Sequence, residues 1–342
     1  MPAHSIDSVK SLRKLIAEPP AMMKKRLQSQ IDDYCLTIIQ HSSVCAVGFS
    51  DPSLDIAFFN LRDIPVLRAE GESIDLAWPA ERSVPAALEQ GLGCSLYFIM
   101  PGIGFALRAN GRCVVRGTGG ARVLAFRADA LFLHCSRAKV RAQFWTPRAP
   151  ALPLCEAEGG GQLSAEALGF IAASPYLLML TRNAAGATEI SPRGDPDGFV
   201  LALDDRTLLI PERPGNKVAC TLINILSAPT VTVSFIIPGG GSQLSVTGKS
   251  WLSADQSLLA PLAINGKVPV VAIVLEVERW RFVPCPELVA AELWRSETHL
   301  RDSDLPSFPK MLSEHMNGRG LLGKATTLLV DAVVKHDLKN LY

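Results

Sequence analysis

Several features that would assign a protein quickly are missing from this 342-residue sequence. The net charge is only +1, which gives no general attraction to nucleic acid or to an anionic membrane. The eight cysteines are scattered and include no CxxC pair. No apolar run is long enough to span a membrane, and residues 1–16 are charged and amphipathic, unlike a secretory signal. We therefore expect a cytoplasmic protein with free thiols, without nucleic-acid or membrane partners.

Motifs for common catalytic and metal sites are also missing. The chain has no HExxH, no GxSxG and no paired-carboxylate arrangement. The stretch TGKS (247–250) is not a phosphate-binding P-loop, because Gln243 stands where that motif needs its first glycine. We predict no metal ligands, and no residue is assigned as a catalytic acid, base or nucleophile.

What the sequence does contain is enough apolar material for a sizeable core and a repeated change of pattern. Hydrophobic residues make up 48% of the chain. Short apolar runs broken by Gly, Pro, Asp and Asn predict β-strands and hairpins, whereas both ends have helical spacing. We predict N-terminal helices at 1–40, a first β-rich unit at 41–145, a Pro/Ala/Gly-rich linker at 146–163, a second β-rich unit at 164–295 and a helical tail at 296–342.

The stretch 188–217 contains the strongest chemical signal. It reads as two short strands, each followed by a polar loop. The first loop carries Ser191, Arg193 and Asp195, and the second carries Arg213, Asn216 and Lys217. Three cations, a hydroxyl and an amide at neighbouring strand ends favour a phosphate monoester. The following VACTLINIL predicts a helix whose N-terminus adds to the attraction for an anion. The alternative is a set of salt bridges at the strand ends, with Asp195 and Glu212 as partners.

The two β-rich units match one another, which predicts an internal repeat. FIMPGIGFALRANGRCVV (98–115) aligns with FIIPGGGSQLSVTGKSWL (235–252) without a gap. SIDLAWP (73–79) aligns with RTLLIP ending at 211, and HCSRAKVRAQFW (134–145) aligns with PCPELVAAELW (284–294). In this alignment SPRGD corresponds to FNLRD, and PERPGNK corresponds to PAERSV. The first unit therefore lacks the anion-binding loops. It has instead His134, Arg137 and Arg141, for which the second unit has no arginine.

These motifs resemble the pyridoxamine 5'-phosphate oxidase-like, FMN-binding split β-barrel family, and most of all a bacterial subgroup of uncertain substrate. The similarity lies in FIAASPY (170–176), SPRGDPDGFV (191–200), LLIPERPGNK (208–217), PGGGSQLSVTG (238–248) and the tail ending LKNLY. The resemblance implies a mainly β (α+β) fold with two tandem split β-barrels that form an intrachain pseudo-dimer, flanked by helical N- and C-terminal segments. Since the family's barrels pair as homodimers, the chain is expected to be either a monomeric pseudo-dimer or a homodimer.

The resemblance also implies a function and a site. In the family, residues of both subunits bind each flavin across the interface, so one FMN site per chain is expected here, in an oxidoreductase whose small-molecule substrate and electron donor are unidentified. The cofactor-binding residues expected from the second unit are Ser191, Arg193, Arg213, Asn216 and Lys217, and those expected from the first are Arg108, His134, Arg137 and Arg141. The mirror-image site is expected to be inactive.

Three alternatives remain open from the sequence. The chain could be a non-catalytic flavin-binding or sensing protein. It could be a split barrel that binds haem or a deazaflavin, with His134 as an axial ligand in the haem case. It could also be a relative without a cofactor.

Overall fold

Two antiparallel β-sheets form the body of the protein. The computed structural model describes residues 5–50, 55–148 and 156–342. Its strands are β1 (Ser5–Ile6), β2 (Val44–Phe49), β3 (Asp55–Asn60), β4 (Val66–Glu70), β5 (Ser73–Ala77), β6 (Leu92–Ile99), β7 (Ala106–Arg116), β8 (Val123–His134), β9 (Ala157–Gly159), β10 (Tyr176–Arg182), β11 (Thr188–Gly194), β12 (Leu201–Ala202), β13 (Thr207–Pro211), β14 (Thr230–Ile236), β15 (Ser242–Ser253) and β16 (Ala272–Pro284).

Helices lie at both ends of the chain and between the strands. The α-helices are α1 (Val9–Leu15), α2 (Asp33–His41), α3 (Ala86–Gln90), α4 (Arg137–Arg141), α5 (Ala165–Ala173), α6 (Cys220–Ser227), α7 (Gln256–Leu259), α8 (Pro286–Ala290), α9 (Phe308–Asn317) and α10 (Leu321–Lys339). Ser8, Asp32 and Ser164 begin α1, α2 and α5 by accepting a first-turn N–H group. The prediction of a mainly β, α+β protein with helical terminal segments is confirmed. No helix in the described part of the chain is both long and apolar enough to cross a membrane.

The two sheets have the same strand order. The first half of the chain forms a sheet in the order β3-β2-β6-β7-β8-β5-β4, and the second half forms one in the order β11-β10-β14-β15-β16-β13-β12. Short strands β1 and β9 add to the second sheet by pairing with β15 and β16. Strand β9 lies within the segment predicted to be a linker, and residues 149–155 of that segment lie outside the described residues.

The long hairpins β7–β8 and β15–β16 share a further detail. Each has a register shift at the same place, after Asn110 in the first and after Thr247 in the second. A Cβ on Gly111 would lie 1.9 Å from the main-chain oxygen of Arg127, and one on Gly248 would lie 1.9 Å from that of Glu276. Glycine is therefore required at both bulges, and the aligned LRANG and LSVTG segments carry it.

The strand registers correct three of the sequence alignments. Val44 pairs with Asn60 and Ile99, as Tyr176 pairs with Gly194 and Ile236. SPRGD therefore corresponds to AFFNL (57–61) and not to FNLRD, which is two residues further along. The same shift of two residues applies to the segment around β5 and β13, where Ala77 corresponds to Pro211. The alignment of PCPELVAAELW was also wrong by one residue at its start, because Val283 corresponds to His134 without a gap.

Among the described residues, alternating side chains of the same strands build three large cores, and a smaller fourth cluster lies around Leu209 and Leu259. Cys45 and Val47 face a core within the first half, and Leu177 and Met179 face one within the second. Their neighbours form a third core between the sheets, which includes Val44, Ala46, Phe58, Tyr97, Tyr176, Leu178, Leu180 and Ile190. Because β2, β6 and β10 are buried on both faces, their sequences are nearly continuous apolar runs. Each large apolar side chain buried there contributes about 1.5–3 kcal/mol.

Candidate functional site

A cavity lies between the two halves, where β11 and β13 end. It holds about 890 Å³ of empty space, counted together with the open solvent at its mouth. Most residues that the sequence predicts for the cofactor line it: Ser191, Arg193, Arg213 and Asn216 from the second half, and Arg108, His134, Arg137 and Arg141 from the first.

Gly194, at the end of β11, allows the two halves to meet at this cavity. A Cβ at this position would lie 2.2 Å from the main-chain oxygen of Ala138 and 2.9 Å from the Cβ of Ala142. Since both contacts come from helix α4 and its end, only glycine lets that helix lie directly on β11. The close approach brings the two arginines of α4, Arg137 and Arg141, to the cavity.

A fully buried carboxylate joins an arginine from each half. Oδ2 of Asp195 lies 2.5 Å from Nε of Arg213, and Oδ1 lies 3.2 Å from Nε of Arg141. Arg141 also donates to the main-chain oxygen of Gly194 at 2.9 Å. Burial lowers the pKa of Arg141, and the negative charge of Asp195 opposes that shift. The arrangement holds Arg141 and Arg213 close together although they lie in different halves.

Other arginines of the cavity are also ion-paired. Arg193 pairs with Glu212, and Arg108 lies 3.2 Å from Glu189 and donates to the main-chain oxygen of Ile190 at 2.6 Å. The salt bridges of Arg193 with Glu212 and of Arg213 with Asp195, which the sequence offered as an alternative, are therefore both present.

The ion pairs do not neutralise the cavity. Six arginines and three carboxylates line it: Arg26, Arg108, Arg137, Arg141, Arg193 and Arg213 against Glu189, Asp195 and Glu212. Burial, followed by the charges of Arg108 and Arg26, holds the pKa of His134 well below its usual value, so the imidazole is neutral. The lining residues therefore carry an excess of three positive charges, one of which is offset by Asp337, whose Oδ2 lies 3.5 Å from Nη1 of Arg137.

Several buried nitrogen atoms at the cavity have no hydrogen-bond partner among the described residues. Nε of Arg108, Arg137 and Arg193 and Nε2 of His134 are buried and have no hydrogen-bond partner in the described part of the chain. Leaving such a buried group unpaired costs about 1–3 kcal/mol. An anionic ligand with several oxygen acceptors would remove this cost, so the residues fit a phosphate group.

Helix α6 faces the same cavity with its N-terminus. Ala219, Cys220 and Thr221 line the cavity where the helix begins, and Ala219 adopts a left-handed conformation with φ of 58°. The first-turn N–H groups of a helix have no partner within the helix and carry partial positive charge. The helix predicted from VACTLINIL is present and begins where an anion would benefit from it.

The C-terminal tail contacts three arginines that line the cavity. Arg137 donates to the main-chain oxygen of Asn340 at 2.8 Å, and Arg141 donates to that of Leu341 at 3.1 Å. The guanidinium of Arg213 lies over the ring of Tyr342, 5.6 Å from its centre. Tail carbonyls therefore accept hydrogen bonds from two arginines of the cavity lining.

Lys217 is not among the residues that line this cavity. Its side chain is exposed and lines a neighbouring cavity with Tyr342, and its main-chain oxygen accepts from Arg13 at 2.7 Å. Asn216 lies between the two cavities and lines both, and its Oδ1 accepts the N–H of Val218 at 3.0 Å.

Sequence reasoning missed Arg26 and Glu189. Glu189 opens the TEISPRGD stretch and could have been considered as a partner for a buried arginine. Arg26 lies in MMKKRLQ, where nothing distinguishes it from the neighbouring lysines. Only the fold shows that this side chain is 5% exposed and reaches the cavity.

The mirror-image positions carry none of these cations. When the strand registers of the two halves are matched, each site residue has an equivalent in the other half: Ser191 corresponds to Ala57, Arg193 to Phe59, Arg213 to Pro79, Arg108 to Ser245, His134 to Val283, Arg137 to Pro286 and Arg141 to Ala290. The arginines that do lie near these elements, Arg62 and Arg82, are paired with Glu292 and Glu287.

Comparisons with known proteins place the chain beside several solved structures. No protein-family model matches the sequence. No curated protein matches it in sequence either. HupZ of Group A Streptococcus is 18% identical with a TM-score of 0.30, and the match covers 34% of this chain and 91% of that chain.

Two further structures are similar over a comparable part of the chain. A candidate pyridoxamine 5'-phosphate oxidase of Lactobacillus delbrueckii is 17% identical, with a TM-score of 0.28 and coverage of 35% of this chain and 93% of that chain. An FAD-binding protein of Mycobacterium smegmatis is 16% identical, with a TM-score of 0.25 and coverage of 36% and 95%. Each of these proteins is therefore similar to about a third of the chain.

Proposed function

We propose that the chain is an FMN-dependent oxidoreductase, built from two tandem split β-barrels, that binds one FMN between its halves. The observation that carries this proposal is the set of arginines from both halves at one cavity. They outnumber the carboxylates paired with them, and three of their Nε–H groups have no partner in the described part of the chain. A phosphate monoester has several acceptor oxygens and a charge of about −1.5 to −2 at neutral pH. It therefore complements what the cavity lacks.

The residues divide by their place in the cavity. Arg137, Arg141, Arg193 and Arg213 converge near the end of β11 and the start of α6, and they would hold the phosphate. The hydroxyl of Ser191, from the same strand as Arg193, would add a donor. The positions that mirror these arginines carry no cation, and Arg82, which stands opposite Asn216 in the same register, is paired with Glu287, which supports one FMN per chain.

Arg108 has a different position. It lies where the cavity adjoins a second one, since it lines both, and Glu189 and the main chain of Ile190 hold its guanidinium in place. FMN, when bound, supplies hydride and single-electron transfer. A buried guanidinium at this junction would stabilise negative charge that develops beside it. No side chain is assigned as a general acid or base.

Comparing FMN with riboflavin tests the proposal, because riboflavin differs only in lacking the phosphate. Titration of the purified protein, followed by quenching of flavin fluorescence, should give tight binding of FMN and at least tenfold weaker binding of riboflavin. Equal affinities, or no binding of FMN, would contradict the proposal. Turnover of the FMN complex with reduced nicotinamides or oxygen then separates an oxidoreductase from a non-catalytic flavin-binding protein.

Haem binding is a second candidate because of one observation. Nε2 of His134 is buried without a partner on a neutral imidazole, which is the form that binds iron. A Soret band in the purified protein, lost in His134→Ala, would support haem. Flavin absorbance bands without a Soret band would exclude it as the resident group.

A further inference from the structure

A second cavity adjoins the proposed FMN site. It holds about 1280 Å³ of empty space, including its mouth, and lies between the N-terminal segment, the β7–β8 hairpin and α6. Both cavities are lined by Arg26, Arg108, Glu189 and Cys220, so the two cavities adjoin at these side chains. A molecule in the second cavity would lie next to a cofactor in the first.

Arg26 reaches this junction because the N-terminal segment crosses from one half to the other. Strand β1 pairs with β15 of the second sheet, and Gln28 forms a bridge with Leu131 of the first sheet. Between these anchors the side chain of Arg26 is buried, with its guanidinium 4.7 Å from the ring centre of Phe132. The guanidinium of Arg108 lies 4.0 Å from the same ring.

Arg26 is a buried charge without a direct counter-ion. Its side chain makes no hydrogen bond or ion pair with any residue that the structure describes, and only its main-chain oxygen accepts a hydrogen bond, from Gln28. The other cations of the cavity are paired, Arg13 with Glu18 at 3.1 Å and Arg108 with Glu189. Burial and then the nearby charge of Arg108 lower the pKa of Arg26, and the charge of Glu189 opposes this shift only in part. An uncompensated buried charge is costly, and an anion placed against it would reduce that cost.

The surroundings indicate which kind of anion fits. The cavity has apolar walls, formed by Pro19, Leu27, Phe132 and Ile223. Besides the paired Glu18 and Glu189, its lining includes the carboxylate of Asp129, which is exposed at the rim, where water screens its charge. A guanidinium offers paired donors that match a carboxylate.

We propose that this second cavity binds a small organic acid, with its carboxylate on Arg26 and its apolar body against these walls. On the proposed function, that acid is the substrate and Arg26 determines specificity for it. The identification as substrate rests on the proposed function, whereas the carboxylate site itself does not.

Isothermal titration calorimetry of the full chain with benzoate tests the site, with benzamide as an uncharged analogue of the same shape. We expect benzoate to bind at least tenfold more tightly than benzamide. Arg26→Met should remove this preference, Arg26→Lys should keep part of it, and Arg116→Met, at an exposed position of β7, should leave it unchanged. Equal binding of the two compounds, or a preference that survives in Arg26→Met, would overturn the proposal.

FMN affinity distinguishes this proposal from the proposed function. Arg26 lines the FMN cavity too, at its junction with the second cavity, so Arg26→Met should weaken FMN binding, but by less than about tenfold. A tenfold weaker affinity for FMN in this variant would assign Arg26 to the cofactor and overturn the carboxylate site. If the parent protein binds benzoate selectively but no FMN, the carboxylate site stands and the proposed function fails.

Discussion

Replacing Arg141 with methionine should weaken FMN binding while sparing the fold. The variant keeps an unbranched side chain of similar length but loses the charge and the contacts to Asp195 and Gly194. Asp195 keeps Arg213 as a partner at 2.5 Å, so no buried carboxylate is left without a cation. The loss should therefore appear mainly in binding.

The magnitude follows from the burial of this guanidinium. The side chain of Arg141 is only 8% exposed, so solvent screens its interaction with a bound phosphate weakly. A hydrogen bond to a charged group contributes about 1.5–3 kcal/mol. Since about 1.4 kcal/mol corresponds to a factor of ten, the dissociation constant for FMN should rise about 10- to 100-fold.

Lys217→Met provides the matched control, because it removes a cation that sequence reasoning places at the phosphate but the structure places outside the cavity. Its effect on FMN should be less than about threefold. Fluorescence titrations with FMN and riboflavin measure both variants. The Arg141 effect should be seen with FMN and be nearly absent with riboflavin. If Lys217→Met abolishes FMN binding and Arg141→Met has no effect, the assignment of the two halves to one phosphate site is refuted.

Three further changes test the surroundings of the site. Gly194→Ala should destabilise the protein by about 1–3 kcal/mol and weaken FMN binding, because its Cβ would collide with helix α4, whereas Gly160→Ala, which meets nothing within 4 Å, should do neither in denaturant titrations. Burial lowers the pKa of Lys139 to about 7 from 10.5, so the unfolded chain binds more protons between these values and the stability of the parent protein rises with pH. Lys139→Met lacks this pH dependence, so its free energy of unfolding, relative to that of the parent, should be about 3–4 kcal/mol lower near pH 10 than near pH 7. If the difference between the two proteins does not change with pH, the burial of a neutral amine is contradicted. Tyr342→Ala removes the ring beside Arg213 and should speed FMN association in stopped-flow measurements, since the tail then covers the arginines less firmly; slower association would show that the tail assists binding.

Periodicity and motif spacing account for much of the fold. Apolar runs mark the strands, and the ungapped match of residues 98–115 with 235–252 agrees with the equal strand orders of the two sheets. The sequence could not fix register where the loops differ in length. The segments around SPRGD and PERPGNK were misaligned by two residues. The alignment matched identical residues in the loops, whereas the true correspondence follows the pairing of the strands.

The candidate site divides in a similar way. A short loop can carry its own signal, as Arg193 and Arg213 do, and the repeat comparison added Arg108, Arg137 and Arg141 from the other half. Long-range neighbours leave no such signal. The sequence could not show that the tail at 340–342 lies on the arginines. It also could not show that Arg26, among its basic neighbours, is the residue that becomes buried where the N-terminal segment crosses from one half to the other.

The number of FMN molecules bound per chain tests the central claim most directly. Saturating titration, with the flavin released by denaturation and measured by absorbance, should give one FMN per chain. Within the described residues, only one of the two mirror-related positions collects arginines from both halves. Arg141→Met should lower the affinity without changing this stoichiometry. Two FMN per chain, or none at saturating concentration, would contradict the account.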